Sequence, residues 1–249
     1  MKQQKVIILG GSAGIGLATA KAAAAEGAHI TIVSSNKQRI DQALQQLPAG
    51  SKGFAVDLSK EQNIKEFFDQ FSSSNQAAGS DHAGSFDHLL YTAGENLSLS
   101  PIADTDIDQA RSFFTIRYWG AFATVKYAAP HINPGGSIGL IGGIASPRPG
   151  KGWSVASSIC AAMEGFVRAM AVELAPIRVN LVAPGVVRTD LWGLLSETDR
   201  NQLFKTVGDS LPVKRIGEAE DIAQTFTYLM KQGYCTGQVL VVDGGNVLV

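Results

Sequence analysis

Residues 5–16, KVIILGGSAGIG, decide the fold of this chain because they place a buried strand directly before a glycine-rich turn. Residues 6–9 form a short unbroken apolar run, as expected of a parallel strand that is covered on both faces. Gly10, Gly14 and Gly16 follow with the spacing G-x-x-x-G-x-G, which allows a sharp turn and a close approach of backbone amides to a pyrophosphate. The stretch predicts a dinucleotide-binding unit, although such a turn can also serve as a turn alone.

Composition and charge restrict what the chain can be. Its 249 residues suffice for one large α/β domain, and no linker divides them, so we expect a single domain over residues 1–249. Lysine and arginine total 21 against 22 acidic residues, a formal net charge of -1, which argues against a nucleic-acid partner and favours a small-molecule ligand. Cys160 and Cys235 have no metal-ligand spacing. With the polar start MKQQK and no apolar run near ~20 residues, we expect a cytoplasmic protein without a membrane segment.

Strands and helices alternate along the whole length. Six further apolar or β-branched runs are predicted to be strands, near residues 29–33, 53–56, 87–91, 137–141, 178–182 and 239–243. Such alternation predicts an α/β fold with a parallel, doubly wound sheet. Two segments depart from it. Residues 72–85, rich in serine and glycine, are predicted to form a mobile loop, and residues 190–212 an apolar lid over the substrate.

The end of the second predicted strand bears on the choice of coenzyme. In dinucleotide folds an acidic side chain here binds the ribose hydroxyls of NAD and would repel the 2′-phosphate of NADP. Ser34, Ser35 and Asn36 stand here instead, with Lys37 and Arg39 just beyond. Hydroxyl and amide donors beside positive charge favour NADP(H) over NAD(H). The three polar residues could also merely cap the next helix, and both roles can hold together.

Other predicted strand ends also carry residues suited to a nucleotide. Asp57, after the third strand, could face an adenine amino group or could simply be solvated. The fourth strand ends in Thr92, Ala93 and Gly94, small residues against which a ligand can lie on bare backbone. The sixth strand leads into Pro184, Gly185, Val187 and Thr189.

The chain resembles the short-chain dehydrogenase/reductase family over nearly its whole length. The motifs that carry the resemblance stand in the family's order, namely Gly10 with Gly14, Ile15 and Gly16, then Asp57-Leu58, Ala93-Gly94, residues 171–180 (AVELAPIRVN), Pro184-Gly185 with Thr189, residues 236–238 (TGQ) and residues 243–245 (DGG). So many motifs in one order are far more specific than any one of them. The resemblance implies a single-domain Rossmann fold of seven parallel strands, commonly assembled as dimers or tetramers through two long central helices.

The resemblance also implies roles for the coenzyme-binding half. The glycine turn would bind pyrophosphate, Asp57-Leu58 would contact adenine, Ala93-Gly94 would line the adenosine side, and the Pro-Gly to Thr loop would hold the nicotinamide. The expected NADP(H)-binding set is Gly10, Ser12, Gly14, Ile15, Gly16, Ser34, Ser35, Asn36, Asp57, Leu58, Thr92, Ala93, Gly94, Pro184, Gly185, Val187 and Thr189.

The catalytic half departs from the family's pattern. Members use an Asn, a Ser, and a Tyr followed four residues later by a Lys. Counting back from residues 164–180, which match without a gap, puts Ala156 at the Tyr position and Cys160 at the Lys position. Gly143 falls at the Ser position and Arg117 at the Asn position. Ala156 has no proton to donate, and Gly143 has no hydroxyl with which to polarise a carbonyl.

Two of the four residues at the family's catalytic positions carry functional groups. Arg117, fixed in charge and rich in donors, could hold a substrate carboxylate or stabilise an oxyanion, or it could form a salt bridge across an oligomer interface. Cys160 carries a thiol that could ionise, although a small buried residue facing the sheet is the simpler interpretation.

Two classes of function therefore stand open. In the first, the protein is an NADP(H)-dependent oxidoreductase acting on an apolar carbonyl- or alcohol-type small molecule, with the proton handled by water, by the substrate or by an unidentified residue. In the second, it binds NADP(H) without dehydrogenase activity, as a sensor, scaffold or partner subunit. The matching nucleotide pocket favours the first class and the four lost catalytic groups favour the second; family membership leans towards the first.

Overall fold

A seven-stranded parallel sheet forms the centre of the computed structural model, which describes residues 1–76, 84–97 and 99–249. The strands are β1 (Lys5–Leu9), β2 (His29–Ser34), β3 (Lys52–Ala55), β4 (Phe86–Tyr91), β5 (Ile132–Ile141), β6 (Arg178–Pro184) and β7 (Val239–Val242). Their order is β3-β2-β1-β4-β5-β6-β7, the doubly wound order of a Rossmann fold. The α/β fold class predicted from the alternation is confirmed.

Helices cover both faces of the sheet. They are α1 (Gly14–Ala25), α2 (Lys37–Leu44), α3 (Glu61–Gln76), α4 (Ile107–Phe114), α5 (Ala121–Ala128), α6 (Ser154–Glu173), α7 (Glu197–Ser210) and α8 (Ala219–Lys231). Ile7 and Leu9 of β1 belong to the core under α3, α5 and α6, whereas Val6 and Ile8 belong to the core under α1, α2 and α8. The apolar run of β1 thus serves two cores, because successive side chains of a strand point to opposite faces.

The predicted mobile loop over residues 72–85 is wrong for its first part. Helix α3 continues to Gln76, so residues 72–76 are helical; residues 77–83 lie outside the described part of the chain. Phe68 and Phe71 anchor this end of α3 against Phe86 of β4, with ring centroids 6.3 and 6.1 Å from that of Phe86. The Ser73 hydroxyl also bonds back to the carbonyl of residue 69, so serine continues the helix here instead of ending it.

Residues 190–212 have more regular structure than the predicted lid. A 3₁₀ turn, Asp190–Trp192, precedes the 14-residue helix α7. The Ser196 hydroxyl caps α7 by accepting a bond from the amide of Asp199. Trp192 and Phe204 pack with Ile216 in a small separate core, which accounts for part of the apolar character of the segment.

By length and composition alone, α6 could cross a membrane. In the fold it lies along the sheet, and Ile159, Met163 and Val167 are buried in the core that it shares with β6. Its apolar content is that of a helix covering a parallel sheet.

Candidate coenzyme and substrate cleft

A cleft of about 1520 Å³ runs along the carboxyl ends of the strands, where open parallel sheets bind their ligands. All seventeen residues predicted to bind the coenzyme line it. Arg117, Gly143, Ala156 and Cys160 line the same cleft. The structure thus brings every predicted site residue to one place, and the binding roles of these residues stay predictions.

The glycine turn forms a bare cradle at the start of α1. Gly10 has a φ of +88°, and a Cβ there would lie 2.5 Å from the amide nitrogen of Ala93. A Cβ on Gly16 would overlap the carbonyl oxygen of Gly10. The methyl group of Thr189 closes the other side, 3.5 Å from where a Cβ on Gly14 would stand. Because side chains would fill this space, the turn has the shape that a pyrophosphate requires beside a helix N-terminus.

The polar residues at the end of β2 include a helix cap, and their role in coenzyme binding stays a prediction. Asn36 caps α2, since its side chain accepts a bond of 2.9 Å from the amide of Arg39. The hydroxyl of Ser34 accepts a bond of 2.9 Å from Ser12 in the glycine turn. Asn36, Ser34 and Ser12 also line the cleft, so capping the helix does not remove them from a ligand's reach.

Charged groups at this end of the cleft have partners within the chain. Asp57 accepts bonds from the amide and hydroxyl of Ser59, at 3.0 and 2.6 Å, and these bonds lower the pKa of Asp57. Arg39 lies 3.8 Å from Asp190 of the segment after β6. The sequence predicts that Arg39 lies near the coenzyme, but it does not predict the pairing with Asp190, because the two residues are distant in the chain.

Arg117 occupies a π-helical turn, Thr115–Gly120, that lies between α4 and α5. Its Nε lies 3.3 Å from Oε2 of Glu95, and its Nη2 donates to the carbonyl oxygen of Glu95. The guanidinium also lies 4.7 Å from the ring centroid of Phe113. Burial lowers the pKa of Arg117 and raises the pKa of Glu95. Glu95 thus pairs with Arg117 within the chain, while the predicted alternative of a salt bridge across an oligomer interface stays a prediction.

Cys160 lies on the cleft and is half-buried, and the interpretation of a small buried residue that faces the sheet stays a prediction. Its sulfur is 3.4 Å from the position that a Cβ on Gly143 would take. Burial raises the pKa of the Cys160 thiol to about 11, while the charge of Arg117 acts in the opposite direction. The group is therefore mostly a neutral thiol near pH 7, with a small thiolate fraction.

An apolar compartment adjoins the four replaced positions. Side chains that line it are Leu97, Leu99, Phe113, Ile116, Trp153, Met163, Leu191, Trp192, Leu194 and Leu195. Phe204, expected in the lid, lies instead under the guanidinium of Arg188. Of the residues that the structure describes, those lining the cleft include no tyrosine, lysine or histidine. No tyrosine or lysine from elsewhere in the described chain stands in the cleft lining in place of the phenol and ammonium that the resemblance implies.

The doubly wound sheet and its glycine-cradled cleft define a dinucleotide-binding α/β protein. A family model described as enoyl-(acyl carrier protein) reductase matches residues 10–246. The chain belongs to the short-chain dehydrogenase/reductase family, whose members are oxidoreductases that bind a nicotinamide coenzyme.

Relatives match over almost their full lengths. Carbonyl reductase family member 4 of Danio rerio is 32% identical, over 98% of this chain and 98% of its own. Among solved structures, a small-chain dehydrogenase in complex with NADPH is 30% identical, with a TM-score of 0.85 and full coverage of both chains. The reductase/Diels-Alderase MalC from Malbranchea aurantiaca is 28% identical, with a TM-score of 0.87 over 100% of this chain and 97% of its own.

Proposed function

We propose that the protein is an NADP(H)-dependent oxidoreductase that acts on an apolar carbonyl- or alcohol-type small molecule without the family's Tyr and Lys. The observation that carries this proposal is the continuity of the cleft from the glycine cradle to the apolar compartment. A ligand in that compartment would lie beside Gly143, Ala156 and the loop from Pro184 to Thr189, where the resemblance implies the nicotinamide.

The preference for NADP(H) is supported by the residues after β2. Ser34, Ser35 and Asn36 bring no carboxylate to the cleft, and Arg39 lines it nearby. A 2′-phosphate would meet donors and positive charge there. A solved relative with an NADPH complex agrees with this preference.

The reaction at this site would run without a dedicated proton donor. When bound, the reduced coenzyme supplies a hydride. The carbonyl carbon gains that hydride with its two electrons, the C=O π bond becomes a lone pair on oxygen, and the oxygen takes a proton from water. A positioned acid typically accelerates such a step by ~10² to 10⁴-fold, so we expect slow turnover of ordinary ketones and aldehydes.

A second function is favoured by the lining itself. The cleft has the cradle for a coenzyme, but its described lining has no tyrosine, lysine or histidine. We propose as the alternative that the protein binds NADP(H) without dehydrogenase activity, as a sensor, scaffold or partner subunit.

Two measurements separate these functions. Fluorescence titration with NADPH and NADH measures coenzyme binding, and a panel of ketones, aldehydes, enones and imines is then followed at 340 nm. Turnover above buffer of at least one apolar acceptor supports the oxidoreductase. Tight NADPH binding with no turnover supports the binding protein. The variant Gly16→Ala serves as a coenzyme-deficient control, because its Cβ would overlap the Gly10 carbonyl.

We also propose a homodimer or homotetramer. Trp119 and Phe122 are 58% and 38% exposed, yet both stack in one aromatic cluster with Tyr118 and Phe166 of α6. Such an apolar surface on a single chain marks an interaction site. Light scattering of Trp119→Glu should show a smaller species than the wild type, whereas Ile102→Glu, at an exposed apolar residue outside this cluster, should not.

A further inference from the structure

The guanidinium of Arg117 is fixed on three sides. Its Nη2 donates to the main-chain carbonyl of Glu95, and its Nε lies 3.3 Å from the carboxylate of Glu95 as an ion pair without a hydrogen bond. The ring of Phe113 packs over it, 4.7 Å away. It also lies directly on the backbone of Gly94, where a Cβ would come within 2.8 Å of the central carbon Cζ. An arginine held in this way loses little conformational freedom when it binds a ligand.

One nitrogen of the guanidinium is left for a ligand. Neither Nη1 nor Nε makes a hydrogen bond to the described residues, but Nε is buried against the Glu95 carboxylate, so Nη1 is the nitrogen that remains on the cleft. Gly143 and Ala156, which carry little or no side chain, line the same cleft as Arg117.

The pairing with Glu95 determines what kind of oxygen Nη1 would recognise. A free guanidinium grips a carboxylate with two parallel hydrogen bonds and a full positive charge. Here the carbonyl of Glu95 takes the hydrogen bond of Nη2, and its carboxylate lies 3.3 Å from the buried Nε as an ion pair without a hydrogen bond, which offsets the charge. The remaining single donor is suited to one neutral carbonyl oxygen.

We propose that Arg117 donates through Nη1 to the neutral carbonyl oxygen of the substrate, and that Glu95 is a positioning residue that orients the guanidinium and suppresses carboxylate binding. This assignment rests on the proposed function for the class of substrate. Arg117 stays protonated throughout and stabilises the charge that develops on the oxygen, while the proton still comes from water. The pair of Arg117 and Glu95 would thus supply part of the stabilisation of the substrate oxygen that the family's Ser and Tyr hydroxyl groups would otherwise provide.

The first test uses benzamide and benzoate, which have the same shape and differ in charge. Their dissociation constants are measured by NMR line broadening in the presence of NADP⁺. The wild type should bind benzamide more tightly. Glu95→Gln should shift the ratio towards benzoate by about fivefold or more, because it exposes the positive charge. Arg117→Met should weaken binding of both probes.

A matched control is the exposed ion pair of Asp108 and Arg111 on α4, 2.8 Å apart. Asp108→Asn and Arg111→Met remove the same charges away from the cleft lining and should leave the benzamide-to-benzoate ratio unchanged. An unchanged ratio in Glu95→Gln, or no binding of either probe to the wild type, would overturn the assignment.

The second test measures how the charge of the Arg117 guanidinium affects the reactivity of Cys160. It needs neither coenzyme nor turnover. In a Cys235→Ser background, iodoacetamide alkylation of Cys160 reports its thiolate fraction. Arg117 lowers the pKa of this thiol and Glu164 raises it. Glu95→Gln should therefore speed alkylation at pH 8 by about threefold, and Arg117→Met should slow it. Equal rates in both variants would show that Arg117 does not face Cys160.

Folding and the proposed function are checked separately. Circular dichroism establishes that each variant is folded; if Glu95→Gln is not, Arg117→Lys takes its place and should lose the benzamide preference, because an ammonium lacks the fork that Glu95 holds. Failure to bind NADPH would overturn the proposed function, whereas normal NADPH binding with unaltered probe ratios and alkylation rates would overturn only the role of this ion pair.

Discussion

Gly143 and Cys160 face each other on the floor of the cleft, and a side chain at position 143 would begin 3.4 Å from the sulfur of Cys160. This separation is an ordinary van der Waals contact, so a small side chain fits at position 143 without moving the backbone. The positions that the resemblance assigns to the family's serine and lysine are therefore adjacent in this chain, and that assignment stays a prediction.

We expect the combined substitutions Gly143→Ser, Ala156→Tyr and Cys160→Lys to raise carbonyl reduction by about 10²-fold, because they restore a positioned proton donor. Initial rates at 340 nm with NADPH and an apolar ketone measure the effect. Gly143→Ser alone is the control, since it fits the space but supplies no acid. An unchanged rate in a folded, NADPH-binding triple variant would show that the pocket is remodelled beyond these positions.

Replacing Ser34 by aspartate should invert the coenzyme preference. The new carboxylate would stand at the end of β2, where it repels a 2′-phosphate and can accept bonds from ribose hydroxyls. We expect NADPH affinity to fall by about tenfold or more while NADH affinity holds or rises. Gln38→Glu, on the exposed face of α2, adds the same charge outside the cleft lining and should change neither constant much.

Two glycine-to-alanine substitutions should act in opposite directions. Gly16→Ala brings a Cβ against the main-chain carbonyl of Gly10, so we expect the unfolding free energy to fall by about 1–3 kcal/mol. We expect the same variant to lose NADPH binding. Gly165 in α6 has open space around the same position, and Gly165→Ala should stabilise the protein by about 0.5–1 kcal/mol. Urea denaturation measures both; stabilisation by Gly16→Ala would contradict the close packing of the turn.

Stability should fall in mild acid because of His88. This residue is 1% exposed in β4, with Nδ1 2.8 Å from the hydroxyl of Ser137, and burial lowers its pKa from 6.5 to about 4. The unfolded chain therefore binds more protons than the folded chain between these pH values. The contribution of neutral His88 to the unfolding free energy is therefore fully present above pH 6.5, and it declines by about 3 kcal/mol as the pH falls to 4.

The pH dependence can be assigned by substitution. His88→Asn should reduce the dependence of the unfolding free energy on pH between pH 6.5 and 4. His29→Asn, at an exposed strand end, should leave that pH dependence as it is in the wild type. Equal slopes for His88→Asn and the wild type would exclude His88 as the cause.

The sheet could be predicted from the sequence because its signals are local. Residues 6–9 must be buried on both faces, and the glycine turn after them permits few other structures. Element ends were predicted less well where tertiary packing decides them: Phe71 holds α3 together past the serine run, and Trp192 orders the segment before α7.

The sequence predicts which residues line the candidate site, but it does not predict which of them contact each other. Strand ends of a parallel sheet meet at one edge, so the residues that follow them share a cleft. Phe113 precedes Arg117 by four residues, a spacing that could have indicated their contact on a helix. Nothing in the local sequence indicated that Glu95 would hold Arg117, because that contact depends on how β4 and the π-helical turn come together.

Titration calorimetry with NADPH and NADH tests the central claim most directly. We expect NADPH to bind with an affinity at least about tenfold higher than that of NADH, through the cradle at Gly10 to Gly16 and the donors at the end of β2. No heat with either nucleotide, or tighter binding of NADH, would contradict it.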